Sequence, residues 1–179
     1  MRAVQAGFTL LEVLVAVLML ALGMVGGVAM HLHAMRARHE SALLSNAVQL
    51  AAATIERLRA NPRQLASYLQ LDYDALATPD PGLPSGDCFA QACDPASLAA
   101  ADLYDIKRRA ATQLPGGRVR VCRDSASWQG GRLRWACTAE AAAPIVVKVG
   151  WQMRRPDGTR ADEAGAELPV VALALGSLP

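Results

Sequence analysis

The stretch Gly7-Phe8-Thr9-Leu10-Leu11-Glu12, followed by the uncharged run VLVAVLMLALGMVGGVAM at residues 13–30, decides how this chain is organised. The sequence stays free of Lys, Arg, Asp and Glu for 23 residues, from Val13 through Met35. A helix rises about 1.5 Å per residue, so this stretch can cross the hydrocarbon core of a bilayer. A carboxylate such as Glu12 costs about 2–3 kcal/mol near the bilayer centre. We therefore predict a membrane segment with a functional acid at its head.

The rest of the chain has the composition of one folded domain. The 179 residues carry 18 basic and 16 acidic side chains, a net charge of +2, and only Arg2 and Glu12 of these lie before residue 36. This length suits one domain with an appendage rather than two full domains. An apolar fraction of 53% excludes a largely disordered protein. The composition predicts an apolar helix joined to a polar domain with a modest core.

The N-terminal motif resembles that of type IV pilins and type II secretion pseudopilins. In that family a prepilin peptidase of the inner membrane removes a short basic leader after a glycine, and the new N-terminal residue is N-methylated. The resemblance implies that Gly7 is the cleavage residue, Phe8 the methylated residue and Glu12 the assembly acid. It also implies the α+β type IV pilin fold, in which a long N-terminal α-helix has a transmembrane half and a half packed on a small antiparallel sheet.

Electrostatics suggests a role for Glu12 that does not depend on the resemblance. Cleavage would create a positive amine at Phe8, four residues earlier and on the same helix face. Each charge is costly alone in a bilayer, and pairing relieves both. When subunits stack with an axial offset, Glu12 of an incoming chain can meet the Phe8 amine of a chain already in the filament. The alternative is a simple membrane anchor with Glu12 at the interface.

The helix is predicted to run from Thr9 to about Ala60, where Asn61-Pro62 ends it because the residue before proline disfavours the helical conformation. One apolar stripe is expected to pack on the domain, formed by Leu44, Val48, Ala51, Ile55 and Leu58. A G-x-x-x-G spacing at Gly23 and Gly27 suggests either close helix packing or ordinary tolerance of glycine in a membrane helix.

These features divide the chain into four segments. They are a cleaved leader at 1–7, a transmembrane or filament-core half of the helix at 8–35, an amphipathic half at 36–61, and a periplasmic α+β domain at 62–179. In the last segment we predict a helix from Asp94-Pro95 to Leu114. Four strands follow, at 118–123, 132–138, 145–153 and 168–175.

The four cysteines predict disulfides, because an even number in an exported domain is typical of such bonds. Three connectivities are open. If the strands around Cys122 and Cys137 form a hairpin with Gln129-Gly130 at its tip, paired residue numbers add to 259 and these two cysteines face each other. We therefore predict Cys122–Cys137 and, by elimination, Cys88–Cys93. A zinc site is disfavoured because no C-x2-C pair is present.

Other candidate sites are weaker, and no metal and no cofactor is predicted. Residues 72–87 are predicted to be loop, in which Asp72, Asp74 and Asp80 could hold calcium, although turn capping is the favoured role. The histidines at 31, 33 and 39 contain no i, i+4 pair that could share a metal.

Catalysis and nucleic-acid binding are also disfavoured. The arginines of the 118–134 region do not share one face in the predicted register, so a nucleic-acid groove is disfavoured. The sequence contains no G-x-S-x-G motif and no phosphate-binding loop, and we predict that the protein is not an enzyme.

The helix end Ile55-Glu56-Arg57-Leu58-Arg59-Ala60-Asn61-Pro62 resembles that of PilV-type minor pilins, although Tyr104-Asp105-Ile106 lacks the tryptophan expected there. The resemblance implies a minor pilin that primes or supports type IV pilus assembly in the inner membrane and lies at or near the tip, with links to adhesion and twitching motility. Its implied partners are other minor pilins, the major pilin, the prepilin peptidase, the inner membrane and a tip adhesin. The alternatives are a type II secretion minor pseudopilin and a membrane-anchored periplasmic binding module.

Overall fold

The computed structural model describes residues 9–83, 88, 92–152 and 170–175. The chain divides into two compact units, Met1–Ala42 and Leu43–Pro179. The predicted leader, with Gly7 and Phe8, lies outside the described residues.

The first unit consists of the N-terminal part of one long helix. Helix α1 spans Leu10–Ala60, in agreement with the predicted bounds. The structure is helical through Gly23 and Gly27, and a Cβ atom added at either glycine would meet nothing within 4 Å in this chain. The glycines therefore leave open surface on α1 without interrupting its secondary structure.

The second unit begins with the C-terminal part of α1, which buries one face in the domain core. The buried side chains are Ala47, Leu50, Ala51, Thr54, Ile55 and Leu58. The predicted stripe is wrong at its N-terminal end, because Leu44 and Val48 are 45% and 41% exposed. At 3.6 residues per turn these two lie at the edge of the buried arc, while the small side chains of Ala47 and Ala51 face the core. The N-terminal end of the contact is therefore made by the partly buried Leu43 and by Ala47 instead of by the predicted Leu44 and Val48.

The rest of this unit is a small α+β arrangement, as predicted. A single 3-10 turn at Pro62–Gln64 follows α1. The further elements are α2 at Leu65–Tyr68, β1 at Asp72–Asp74, α3 at Pro95–Gln113, β2 at Arg118–Arg123, β3 at Trp128–Gln129, β4 at Arg132–Leu133, β5 at Ile145–Gly150 and β6 at Val171–Ala174. Asp94 caps α3 by accepting hydrogen bonds from the amides of Ala96 and Ser97, and Pro95 is the first helical residue. Both assignments confirm the predicted start of this helix.

The described strands form a four-stranded antiparallel sheet in the order β1-β2-β5-β6 and a separate β3-β4 hairpin. The predicted hairpin between the strands of Cys122 and Cys137 is wrong. β2 pairs with β5, so that Val121 lies opposite Val147 and Cys122 opposite Val146. The physical reason is burial: every residue of β5 is buried, so its backbone N–H and C=O groups need hydrogen-bond partners, which β2 and β6 supply at its two edges.

Three other strand predictions are revised. The predicted strand 132–138 is limited to β4, because residues 134–138 are not assigned to a strand. The predicted strand 145–153 ends at Gly150, and the described part of 168–175 is strand only over β6. The segment 72–87 is not all loop, because β1 adds an edge strand in which Tyr73 is buried opposite Val119.

The core of the second unit lies between the sheet and the helices. It combines the buried face of α1 with Ile106 and Ala110 of α3 and the inward side chains of β2 and β5. On β2 these are Val119 and Val121. The alternate residues of β2 therefore lie on the opposite face of the sheet, which a long loop covers.

Candidate functional site

The first turn of α1 contains the acid Glu12 and is capped by Thr9. The backbone N–H of Glu12 donates hydrogen bonds to the carbonyl oxygen of Thr9 at 3.1 Å and to its Oγ1 at 3.3 Å. Thr9-Leu10-Leu11-Glu12 has the T-x-x-E spacing of a capping box, and an acid in the first turn interacts favourably with the helix dipole. This cap was not among the predicted features, although a T-x-x-E spacing before an apolar run is its usual signal. Glu12 therefore lies in the capped first turn of α1.

The surface that follows Glu12 is apolar on every side. Large hydrophobic side chains between residues 10 and 35 are exposed by 47% at Val15 to 79% at Leu10. The helix is long and apolar enough to cross a membrane. A continuous apolar surface of this extent is costly in water and is typical of a segment covered by lipid or by other subunits.

Both disulfides of the structure have the predicted pairing. Cys88–Cys93 has a Cα–Cα distance of 5.5 Å and Cys122–Cys137 one of 6.4 Å. The route to the second bond differs from the prediction, because Cys137 lies in a loop and not on a strand paired with β2. We call residues 124–144, which connect β2 to β5, the outer loop; the Cys122–Cys137 bond ties its middle to the end of β2.

A buried ion pair fastens the outer loop to β5. Lys148 Nζ donates to Asp124 Oδ2 at 2.5 Å and to the carbonyl oxygens of Arg134 and Ala136, both at 2.8 Å. The side chains of Lys148 and Asp124 are fully shielded from solvent. The ammonium has three donors, and all three are used. Lys148 therefore connects the start and the middle of the outer loop to the central strand.

The charge of Asp124 is stabilised by Lys148 of β5 and by donors of the outer loop. Burial opposes ionisation, but hydrogen bonds from Lys148, from the Ser127 hydroxyl and from the Ala126 amide lower the pKa of Asp124 to about 2. The amide of Thr138 also donates to this carboxylate, at 3.3 Å. A single aspartate thus organises both ends of the 124–138 segment, and nothing in its local sequence marks it as buried.

The arginines of β2 are also used within the domain. The Arg118 guanidinium lies 4.5 Å from the ring centroid of Trp135, and Arg120 donates to the Trp135 carbonyl at 3.3 Å. Both arginines lie within 3.5 Å of Asp72. Arg134 donates to the carbonyl of Ala126 at 2.7 Å. These contacts leave no continuous row of unpaired arginines along the described part of this face, so the geometry supports a bracing role over nucleic-acid binding.

A second cluster joins the end of α1 to α3. Arg57 donates to the Asp102 carbonyl oxygen at 3.0 Å and pairs with the Asp105 carboxylate at 2.5 Å. Asn61 Nδ2 donates to the Pro95 carbonyl at 2.7 Å. Tyr68 donates its hydroxyl to Asp102 at 2.7 Å, and burial together with this hydrogen bond raises the pKa of Tyr68. Arg57 and Asn61 thus contact α3 at its start and near its middle.

Asp105 is the centre of this cluster. It accepts hydrogen bonds from Arg57, from Arg108 at 2.7 Å and from Arg109 at 2.8 Å. Burial opposes its ionisation, while the arginines lower the pKa of this carboxyl. The next residue, Ile106, is 1% exposed in the core. The arrangement gives Asp105 a structural role at the α1–α3 junction.

The candidate calcium ligands have other contacts. Asp72 faces the two arginines of β2, and Asp74 and Asp80 accept hydrogen bonds from the amides of Leu76 and Gly82 in local turns. Within the residues that the structure describes, no group of three potential metal ligands is found. The aspartates therefore serve pairing and turn formation in this structure.

Comparison with known families agrees with the organisation of α1. A family model described as "Prokaryotic N-terminal methylation motif" matches residues 2–28, and one described as "Type IV pilin Tt1218" matches residues 29–104. Together these matches cover residues 2–104, which end near the middle of α3. No curated protein and no solved structure matches the chain.

Proposed function

Because the chain belongs to the type IV pilin superfamily, we propose that it is a minor pilin that primes or supports assembly of a type IV pilus. In this role it is a structural subunit and not an enzyme. It is held in the inner membrane by α1, with residues 62–179 in the periplasm, and enters the filament at or near the tip. The single observation that supports the proposal is the position of Glu12, in the Thr9-capped first turn of an exposed apolar helix long enough to cross a membrane.

Processing precedes assembly in this proposal. A prepilin peptidase cleaves after Gly7, and the amine of Phe8 becomes the methylated N-terminus; the match of the methylation motif to residues 2–28 supports both steps. Phe8 then stands directly before Thr9, whose side chain caps the helix. Cleavage therefore creates a positive charge one turn away from the carboxylate of Glu12.

Docking uses that pair of charges between subunits. Glu12 lies in an apolar surrounding, where an unpaired carboxylate is unfavourable. An incoming subunit relieves the cost when its Glu12 meets the Phe8 amine of a subunit already in place. The remaining apolar side chains of α1 pack against the helices of other minor pilins and of the major pilin.

The test separates processing from docking. Mass spectrometry of the native protein should find Phe8 as a methylated N-terminus. Replacement Glu12→Ala should leave that processing intact and strongly reduce recovery of the protein in sheared filaments. Glu40→Ala removes another acid of α1, beyond the apolar run, and should not affect recovery. Normal filament recovery of the Glu12 variant would contradict the docking role, and an uncleaved N-terminus would favour a membrane-anchored binding module.

The choice of a pilus over a secretion system is supported by the PilV-like segment at the end of α1. In the structure Arg57 and Asn61 of that segment hold α3. Deletion of the gene should abolish surface pili and leave type II secretion unaffected, and in-membrane cross-linking should capture other minor pilins. Loss of secretion with normal piliation would instead assign the protein to the pseudopilins.

A further inference from the structure

A group of basic and imidazole side chains surrounds α1 directly after the apolar run. We call it the basic collar; it consists of His31, His33, Arg36, Arg38 and His39. All five residues are exposed. The two arginines are the first charged side chains after Glu12, and Glu40 is the only acid between Glu12 and Glu56. The collar therefore marks an abrupt change from apolar to cationic surface.

The collar encircles the helix rather than forming a stripe. At 3.6 residues per turn Arg36 and Arg38 point about 200° apart around the axis. Within the described residues neither arginine has an ion-pair partner, and Glu40, one turn after Arg36, does not pair with it. A protein groove contacts one side of a helix, whereas lipid headgroups contact a membrane helix on every side. The distribution fits the second surrounding.

We infer that the basic collar binds the anionic phosphodiester headgroups of membrane phospholipids such as phosphatidylglycerol. A guanidinium binds phosphate oxygens through two parallel hydrogen bonds, and its aliphatic stem can lie along the apolar boundary. The inference rests on the proposed role of residues 13–30 as a membrane span. It holds for either leaflet, because it requires only that the collar lie at the end of the span.

Binding at this level sets the depth of α1 in the bilayer. A stretch of 23 uncharged residues is slightly longer than a bilayer core requires, so the span alone allows some sliding. Headgroup contacts on both sides of the helix oppose that sliding. They are broken when the subunit leaves the bilayer for a filament, so the collar favours retention until assembly begins.

The experiment uses the full chain reconstituted in phosphatidylcholine bilayers that contain spin-labelled phosphatidylglycerol or spin-labelled phosphatidylcholine. Electron spin resonance gives the relative association of the two lipids with the protein. We expect wild type to prefer phosphatidylglycerol, with up to about a fivefold contribution from each arginine at low salt. Arg36→Gln with Arg38→Gln should remove the preference. Arg63→Gln, which changes an exposed arginine outside the collar, should retain it.

Each other result has a defined meaning. Equal association of both lipids with wild type, or an unchanged preference in the collar variant, overturns the inference. Inorganic phosphate added at constant ionic strength should not change the preference; if it abolishes the preference, the collar binds free phosphate and the lipid assignment is wrong. Failure of wild type to float with vesicles would overturn the membrane span itself, whereas flotation without lipid preference overturns only the collar.

Discussion

Lys148 of β5 and Asp124 of the outer loop form an ion pair with both side chains fully shielded from solvent. The two residues are 24 positions apart, and their contact fastens the outer loop across the face of the sheet that points away from α1's buried side. Three acceptors surround the ammonium, and four donors surround the carboxylate. Burial of this charge is tolerated because each of the three N–H groups of the Lys148 ammonium has an acceptor.

Removal of the ammonium should be the most damaging change to the outer loop. Lys148→Met leaves the buried Asp124 with only the Arg134 guanidinium, 3.9 Å away, as a counter-ion and leaves two carbonyls without this donor, so we expect a loss of about 3–5 kcal/mol in the free energy of unfolding. Urea unfolding of the full chain in detergent, followed by near-UV circular dichroism, measures it. Lys107→Met removes a lysine without an ion-pair partner among the described residues and should cost under about 1 kcal/mol. Equal losses in the two variants would contradict the role of the pair.

The free energy of unfolding should depend on pH through Asp124. The folded pKa of Asp124 is about 2, below its ordinary value of 3.8, so its contribution is complete above the ordinary pKa and is lost as the pH falls toward 2. The shift corresponds to about 2 kcal/mol. Asp124→Asn should flatten the stability profile between about pH 4 and pH 2, leaving the contributions of Asp94 and Asp105, whose pKa values are also lowered. Asp80→Asn should retain the wild-type slope; an unchanged slope in the Asp124 variant would refute the assignment.

The sequence predicted the helices better than the sheet, because helix signals are local. Asp94-Pro95 marks the start of α3 and Asn61-Pro62 the end of α1 through the backbone preferences of those residues. Strand pairing depends on residues that are distant in the sequence, and β2 pairs with β5 instead of with the nearer segment 132–138. The disulfide Cys122–Cys137 is present as predicted, although the strand register used to predict it is wrong. The outer loop returns over β2 and brings Cys137 close to Cys122 without a strand pairing between them.

The polar contacts could also be predicted from the sequence only where both partners are close along the chain. Thr9 and Glu12 lie three residues apart, so a capping box was readable from the sequence. Lys148 sits in a β-strand of otherwise apolar residues, and its position alone suggests an exposed side chain. Only the return of the outer loop, with Asp124, explains why a lysine is buried there. Such contacts cannot be predicted from spacing, because they require the path of a loop with no regular structure over most of its length.

The α1–α3 junction should depend on one arginine of a closely spaced pair. Arg57 contacts Asp102 and Asp105 across the junction, whereas the only ion-pair partner of Arg59 among the described residues is Glu56 of the same helix, at 2.7 Å. We expect Arg57→Ala to lower the free energy of unfolding by about 2–3 kcal/mol through loss of charged hydrogen bonds. Arg59→Ala should cost under about 0.5 kcal/mol, as is usual for an exposed pair within one helix. Chemical denaturation of both variants checks this, and a larger loss for Arg59→Ala would show that the junction is held by other contacts.

Gly117 and Gly130 should be required for different reasons. A Cβ atom on Gly117 would lie 2.1 Å from the backbone oxygen of Ala110 in α3, and backbone cannot move away as a side chain can. We expect Gly117→Ala to cost more than about 3 kcal/mol, because β2 would have to separate from α3. Gly130 has a φ of +61° at the tip of the β3-β4 hairpin with nothing within 4 Å, so Gly130→Ala should cost only the backbone strain of about 1–2 kcal/mol. Thermal unfolding of both variants in detergent measures the difference. A Gly117→Ala variant as stable as wild type would mean that α3 and β2 are not in the close contact described, whereas equal moderate losses would assign both glycines to backbone conformation alone.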